Sequence, residues 1–347
     1  MRYAVLLAAC WIFSAQSQVP VPCKPRDKAC AVEVAKKHPA KQLAFWEATM
    51  KRPVEERIGP APKELIDFLA LDNLANGYPN KPRAAQLPDR FIADFKRIYS
   101  ELPEAVRRKV EPKLAGIYFA DDIGGTGFSD SINDPTGKRA LGFIVLDPSV
   151  LAKRSANEWA TWKDNTPFSP DPKWSLTEQI EPPERNTPPY AMQYILLHEL
   201  AHVLSVGAAI HPSWNLDPRK ITSTRDFDFF NLSWHIANGA YSPLPGSDFP
   251  QRKHVAFYFG AKLKGSQMLE TYTSLGKTTF PSLYAATHPG DDFAESFANY
   301  VHVVMMGKPF EISIANSGRV VHTYRACWDE PRCKSKRALI EAMLRGR

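Results

Sequence analysis

The rhythm of apolar and polar positions along this chain changes near residue 116. Between residues 31 and 115, apolar residues recur at helical spacing between proline-containing breaks. That spacing predicts helices over Lys63–Asn76, Pro88–Glu101 and Pro103–Leu114, with turns at Pro53 and Pro60-Ala61-Pro62. Beyond it, Gly116–Ala120 and Leu141–Leu146 are short runs rich in Ile, Val, Phe and Tyr. They read as strands, joined by a Gly- and Asp-rich connection from Asp121 to Gly137. Residues 161 to 189 are dense in proline and polar side chains and read as a long surface loop. Tyr190–Val206 is apolar on most sides and predicts a buried helix, with Thr187 at its N-cap, Pro188 in its first turn and Gly207 past its end.

Residues 208 to 288 are mixed and rich in aromatics, including Phe257-Tyr258-Phe259. Pro289–Met306 predicts a second helix, ended by Gly307. Glu311–Ile314 and Arg319–Tyr324 predict a hairpin around the four-residue turn Ala315-Asn316-Ser317-Gly318, and Lys336–Arg345 a last amphipathic helix. The expected class is α+β: a mostly helical N-terminal region over 18–115, then a part with a small sheet over 116–347.

Composition changes this picture little. The chain has 347 residues, 44% hydrophobic and 23% charged, enough to bury a sizeable core. The formal net charge is +7, spread along the chain. Its densest basic stretches, Arg107-Arg108-Lys109 and Lys334-Ser335-Lys336-Arg337, read as solvated helix faces, so no nucleic-acid partner is expected.

The first 17 residues change it more. Arg2 precedes an apolar run from Ala4 to Phe13, too short to span a membrane, and Ala15-Gln16-Ser17 fits a cleavage site before Gln18. Leu7-Ala8-Ala9-Cys10 offers a competing lipoprotein signal. No other segment reads as a transmembrane helix. Removal of the leader leaves Cys23, Cys30, Cys327 and Cys333, an even count that suggests two disulfides in an exported protein. Of the three connectivities, the local pairs Cys23–Cys30 and Cys327–Cys333 are simplest. A periplasmic or secreted protein is expected, and a monomer.

The candidate chemistry lies in His198-Glu199-Leu200-Ala201-His202. On a helix the two histidines share a face one turn apart, where two imidazoles can bind one zinc ion and the adjacent carboxylate can take a proton from a water held there. With nine His in the chain, chance placement yields on the order of 0.01 such motifs. Glu199 is the only formal charge between Tyr190 and Val206, and two histidines and a glutamate in so apolar a helix need partners. A catalytic zinc also needs a third protein ligand. Ser205 and Ala208 stand where an extended motif would carry Gly and His, so that ligand comes from further along. Asp291 and Glu295, at i and i+4 in Asp291-Asp292-Phe293-Ala294-Glu295, share a helical face. One can bind the metal while the other holds the far nitrogen of a ligand histidine. His302, seven residues after Glu295, is the leading histidine alternative; His211, His235, His254 and His322 read as surface or internally satisfied residues.

These two segments together resemble gluzincin-type zinc metallopeptidases, and within them the anthrax lethal factor catalytic domain and the Pro-Pro endopeptidases. Those carry HExxH and then Tyr seven residues before a ligand Glu; here the matching stretch runs from Tyr284 to Phe297. The resemblance covers about a third of the chain. It implies a zincin-like catalytic part hydrolysing peptide or protein substrates, with His198, His202 and Asp291 on Zn2+, Glu199 as general base, Glu295 supporting a ligand and Tyr284 stabilising an oxyanion. It also implies an edge strand at Leu141–Leu146 to pair with substrate. One departure is that Asp291 stands where the family has Glu, which leaves Glu295 as the alternative ligand. Two rival readings are an inactive zincin-fold binding protein of the cell envelope and an enzyme whose helical N-terminal region covers its site.

Overall fold

The computed structural model describes residues 23–346, apart from Pro25 and Asn215. The leader assigned to residues 1–17 lies outside the described residues. Helices α1 (Lys28–Lys37), α2 (Leu43–Met50) and α3 (Lys63–Asn76) come first, with strand β1 (Ile58–Pro60) between α2 and α3. Strand β2 (Arg83–Ala84) and helices α4 (Asp89–Ser100) and α5 (Glu104–Val110) lead into strands β3 (Leu114–Asp121), β4 (Gly127–Asn133) and β5 (Arg139–Leu146). Then follow α6 (Pro148–Leu151), α7 (Ala156–Asn165), β6 (Phe168–Ser169), β7 (Trp174–Gln179) and the long helix α8 (Pro188–Ser205). The C-terminal part holds the hairpin β8 (Trp234–Ala237) and β9 (Ala240–Pro243), β10 (Leu263–Lys264), α9 (Met268–Leu275), α10 (Pro289–Tyr300), β11 (Glu311–Asn316), β12 (Arg319–Arg325) and α11 (Lys334–Arg345). The class is α+β, with several small sheets.

The main sheet runs β1-β3-β5-β4; β1, β3 and β5 are parallel, β4 is antiparallel to β5, and β2 pairs with the end of β3. Alternation along the strands sends successive side chains to opposite faces. Ile117, Phe119, Ile144 and Leu146 join a core with Leu196, Leu197 and Leu200 of α8. Tyr118, Ala120, Phe143 and Val145 join a second core with Trp46 of α2 and Leu65, Phe68 and Leu69 of α3. Helices thus cover both faces, which is why β3 and β5 read as continuous apolar runs. The expected division at 115/116 runs through β3, and the chain before it contributes β1 and β2 to the same sheet.

Four expectations are corrected. The Asp121–Gly137 connection contains β4; its Gly, Ser and Asp content hid a strand that needs few apolar residues because it lies at a sheet edge. Leu141–Leu146 is not an edge strand: β5 lies between β3 and β4, so the edge on that side belongs to β4, where Asn133 at its end meets Gln42 in a single parallel bridge. The 161–189 stretch is not one loop but carries the end of α7 and all of β7. A capping box between Ser155 and Glu158 starts α7, and no proline falls inside α7 or β7, while Pro188 and Pro189 form the first turn of α8. At the hairpin, the strands extend inward to a two-residue turn of Ser317 (φ 50) and Gly318 (φ 81), the positive-φ pair that matches strand twist.

Both local disulfides, Cys23–Cys30 and Cys327–Cys333, are present with Cα atoms 5.7 Å apart. Among the described residues no helix is long and apolar enough to cross a membrane.

Candidate metal centre

Helix α8 is buried along nearly its whole length, lying against α10, α4, α7 and the main sheet. His198 and His202 face the same gap one turn apart, with their Nε2 atoms 3.1 Å from each other. Across the gap stands α10. His288 caps its start, its Nδ1 accepting from the Gly290 amide at 3.1 Å, and Pro289 fits the first turn. In the first turn of this helix Asp291 points at the two imidazoles. Its Oδ1 lies 3.8 Å from each Nε2. One ligand atom from each of His198, His202 and Asp291 falls within 4.8 Å of the others.

The fit to a metal can be judged from these distances. Tetrahedral zinc with bonds of about 2.0–2.1 Å separates its ligand atoms by roughly 3.3 Å, between the 3.1 and 3.8 Å seen here. The tautomer agrees. Glu295 Oε1 lies 3.0 Å from His198 Nδ1 and, against burial, raises the basicity of that ring; in the neutral imidazole a proton held on Nδ1 leaves the Nε2 lone pair for a metal in the gap. Glu295 therefore sits on the far side of the imidazole, with its other oxygen accepting from Ser282 Oγ at 2.7 Å. Of the two carboxylates left open by the sequence, Asp291 is the one that reaches the gap. The cluster could hold a metal ion.

The protonation equilibria have distinct causes. Burial opposes charge on Glu295, yet the Lys163 cation and the His198 hydrogen bond hold its carboxyl down at about 2. Burial raises Asp291 to about 7, against the pull of His198. His202 is pushed well below the ordinary histidine value by burial and by the neighbouring His198. For Glu199, burial raises the carboxyl while His198 and the Ser129 hydroxyl oppose it.

Glu199 lies against the edge strand. A Cβ on Gly127 of β4 would stand 2.9 Å from Glu199 Oε1 and 3.2 Å from Ile195 Cγ2, so this strand approaches α8 closely only because residue 127 has no side chain. Tyr284 shares a cavity with His198 and Glu199. Its ring is 5.7 Å from the His198 ring and 4.8 Å, edge to face, from Phe257. The charge of Asp291, and then burial, raise its hydroxyl well above the usual tyrosine value and keep it a donor.

His302 does not join the gap: it packs on Tyr194 with ring centroids 5.0 Å apart, and its Nε2 meets the Ile180 carbonyl at 2.7 Å. His211 is buried, its Nδ1 bonded to the Pro212 carbonyl at 2.8 Å.

Sequence reasoning missed several neighbours. Lys163, buried under Tyr284 with Nζ 3.9 Å from Glu295 and 3.2 Å from Asp164, fell in the supposed loop. Thr287, whose hydroxyl donates to Asp291 at 3.3 Å, and Trp214, whose ring is 5.6 Å from that of His202, carried no spacing signal. Compared with known proteins, the chain matches no family model, no curated protein and no solved structure.

Proposed function

We propose that this chain is a zinc-dependent peptidase of the gluzincin type, exported from the cytoplasm and acting on peptide or protein substrates. The observation that carries the reading is the convergence of His198, His202 and Asp291 on one gap, with Glu295 hydrogen-bonded to the first and Glu199 beside them. Two imidazoles and one carboxylate form the donor set of catalytic zinc sites that keep a position open. A zinc ion held there would acidify a water and polarise the substrate carbonyl.

The chain's own residues then have separable tasks. Glu199, in the same cavity, accepts the proton and passes it to the leaving amine. Tyr284, held neutral, donates a hydrogen bond to the oxygen that gains charge. An extended peptide adds to the edge of β4, whose backbone runs beside Glu199 at Gly127. Two disulfides suit an oxidising compartment, periplasmic or extracellular.

The test is metal analysis together with a peptide-cleavage assay on the purified protein. About one zinc per chain is expected. Glu199→Gln should keep that metal and lose a hundredfold or more of the cleavage rate, on the order of what a general base contributes. Cleavage by Glu199→Gln at the wild-type rate would sink the mechanism. A full metal complement with no cleavage of any peptide would favour the inactive binding protein instead.

A further inference from the structure

The cavity that holds His198, Glu199 and Tyr284 has a volume of about 1180 Å³ and extends to Trp162, Tyr258 and Tyr78. Its aromatic wall is built by an unusual turn. The Phe259 amide donates to the Phe257 carbonyl at 2.8 Å, and Tyr258 between them sits at φ 66. Three-residue turns with a positive central φ are the rarer, strained kind, and strain of this sort gathers where a binding surface demands it. Thr166 Oγ1 secures the turn by accepting the Tyr258 amide at 3.3 Å.

The turn sends its three rings in three directions. Phe257 is buried and packs edge-on against Tyr284. Tyr258 reaches the cavity 5.6 Å from the Trp162 ring, whose place is held by the Arg154 guanidinium 4.6 Å away. Phe259, 71% exposed, stacks on Tyr78 at 6.3 Å with planes 11° apart. Single exposed apolar side chains are ordinary, but adjoining ones at the mouth of a cavity mark binding. Several polar groups of the same cavity are already engaged. Asn80 donates to Asp122 at 2.6 Å, Asp122 also accepts the Lys81 amide, and Asp147 accepts the amides of Asp122 and Ile123. Beside Asp72, Arg83 and the polar groups of the candidate centre, that wall offers a ligand a run of aromatic surface.

We propose that Trp162 and Tyr258 form a side-chain subsite of the cleft that takes an aromatic or large aliphatic residue beside the scissile bond, with Phe259 and Tyr78 stacked over its entrance. The proposal rests on the peptidase reading. Because Phe257 of the same turn touches Tyr284, a filled subsite also supports the residue assigned to the oxyanion.

The test compares capped peptides that differ only in carrying Phe or Asp at each position in turn. The readouts are kcat/KM with the zinc-loaded protein and calorimetric affinity with Glu199→Gln. At one position, Phe should be preferred over Asp by roughly 10- to 100-fold in both. Trp162→Ala and Tyr258→Ala should collapse that ratio to within about threefold, and Tyr258→Phe, which keeps the ring, should retain it. Cleavage without preference, or a ratio unmoved in both alanine variants, overturns the subsite and leaves the hydrolysis reading standing. Selective binding of the Phe peptide with no cleavage by the wild type supports the subsite and removes the hydrolysis. Binding of chito-oligosaccharides in place of either peptide, lost in Trp162→Ala, would assign the aromatic wall to a glycan and overturn the proposal.

Discussion

Asp291, Asp292 and Glu295 lie within five residues of one helix and do three different things, because each successive residue of an α-helix turns about 100°. Asp291 faces the imidazoles, Glu295 stands one turn on behind His198, and Asp292 faces away toward Trp234 and Lys336. In the sequence all three read as acidic residues near a helix start. Asp292 and Asp291 also fit a dipole preference that needs no site; Glu295, set between Ala294 and Phe297, fitted it less well. Metal analysis separates the tasks. Asp291→Ala should bring the zinc content of the purified protein close to nothing. Glu295→Gln, which weakens the support of His198 and removes the charge beside Lys163, should lower zinc affinity by about 10- to 100-fold, measured by competition with a chelator. The reverse order of effects would make Glu295 the ligand.

Among the elements, α10 couples the candidate site to the end of the chain. Asp292 and Lys336 form an ion pair that is almost fully buried, and Asp292 also accepts from Trp234 Nε1 at 3.0 Å and Ser296 Oγ at 3.2 Å. The pair ties α11 to α10 from the side opposite the imidazoles. Removing one partner strands a charge in the core, so Asp292→Ala should cost about 3–5 kcal/mol, read as a lower urea midpoint. Replacing both, as Asp292→Leu with Lys336→Met, should recover most of that loss, since no charge is then left unpaired. If the single and double variants unfold at the same midpoint, the pair does not anchor α11. The strands show the opposite case to α8: periodicity found β3 and β5, whose burial on two faces enriches them in apolar residues. It missed β4, whose backbone pairing leaves no such trace.

For the molecule as a whole, the helical N-terminal region shares a sheet and a core with the part that holds the site. Ile58–Pro60 and Arg83–Ala84 pair with β3, and Phe95, Ile98, Tyr99 and Val106 share one core with α8. A chain beginning at residue 116 should therefore fail to fold, giving no cooperative transition by circular dichroism. A cooperative, compact product would show instead that the first 115 residues are a separable cover. Much was legible without coordinates, because local spacing carries it. The helix over Lys63–Asn76, the buried helix with His198 and His202 one turn apart, the second helix with its acidic face, and the local cysteine pairs all follow from neighbours a few residues apart. Only the tertiary structure decided which carboxylate faces the imidazoles, which strand lies at the sheet edge and which aromatics wall the cleft. The physical reason is distance along the chain. Those relations join residues beyond the reach of local spacing, more than 90 positions apart for Asp291 with His198 and for Tyr258 with Trp162, and they depend on how helices and strands pack.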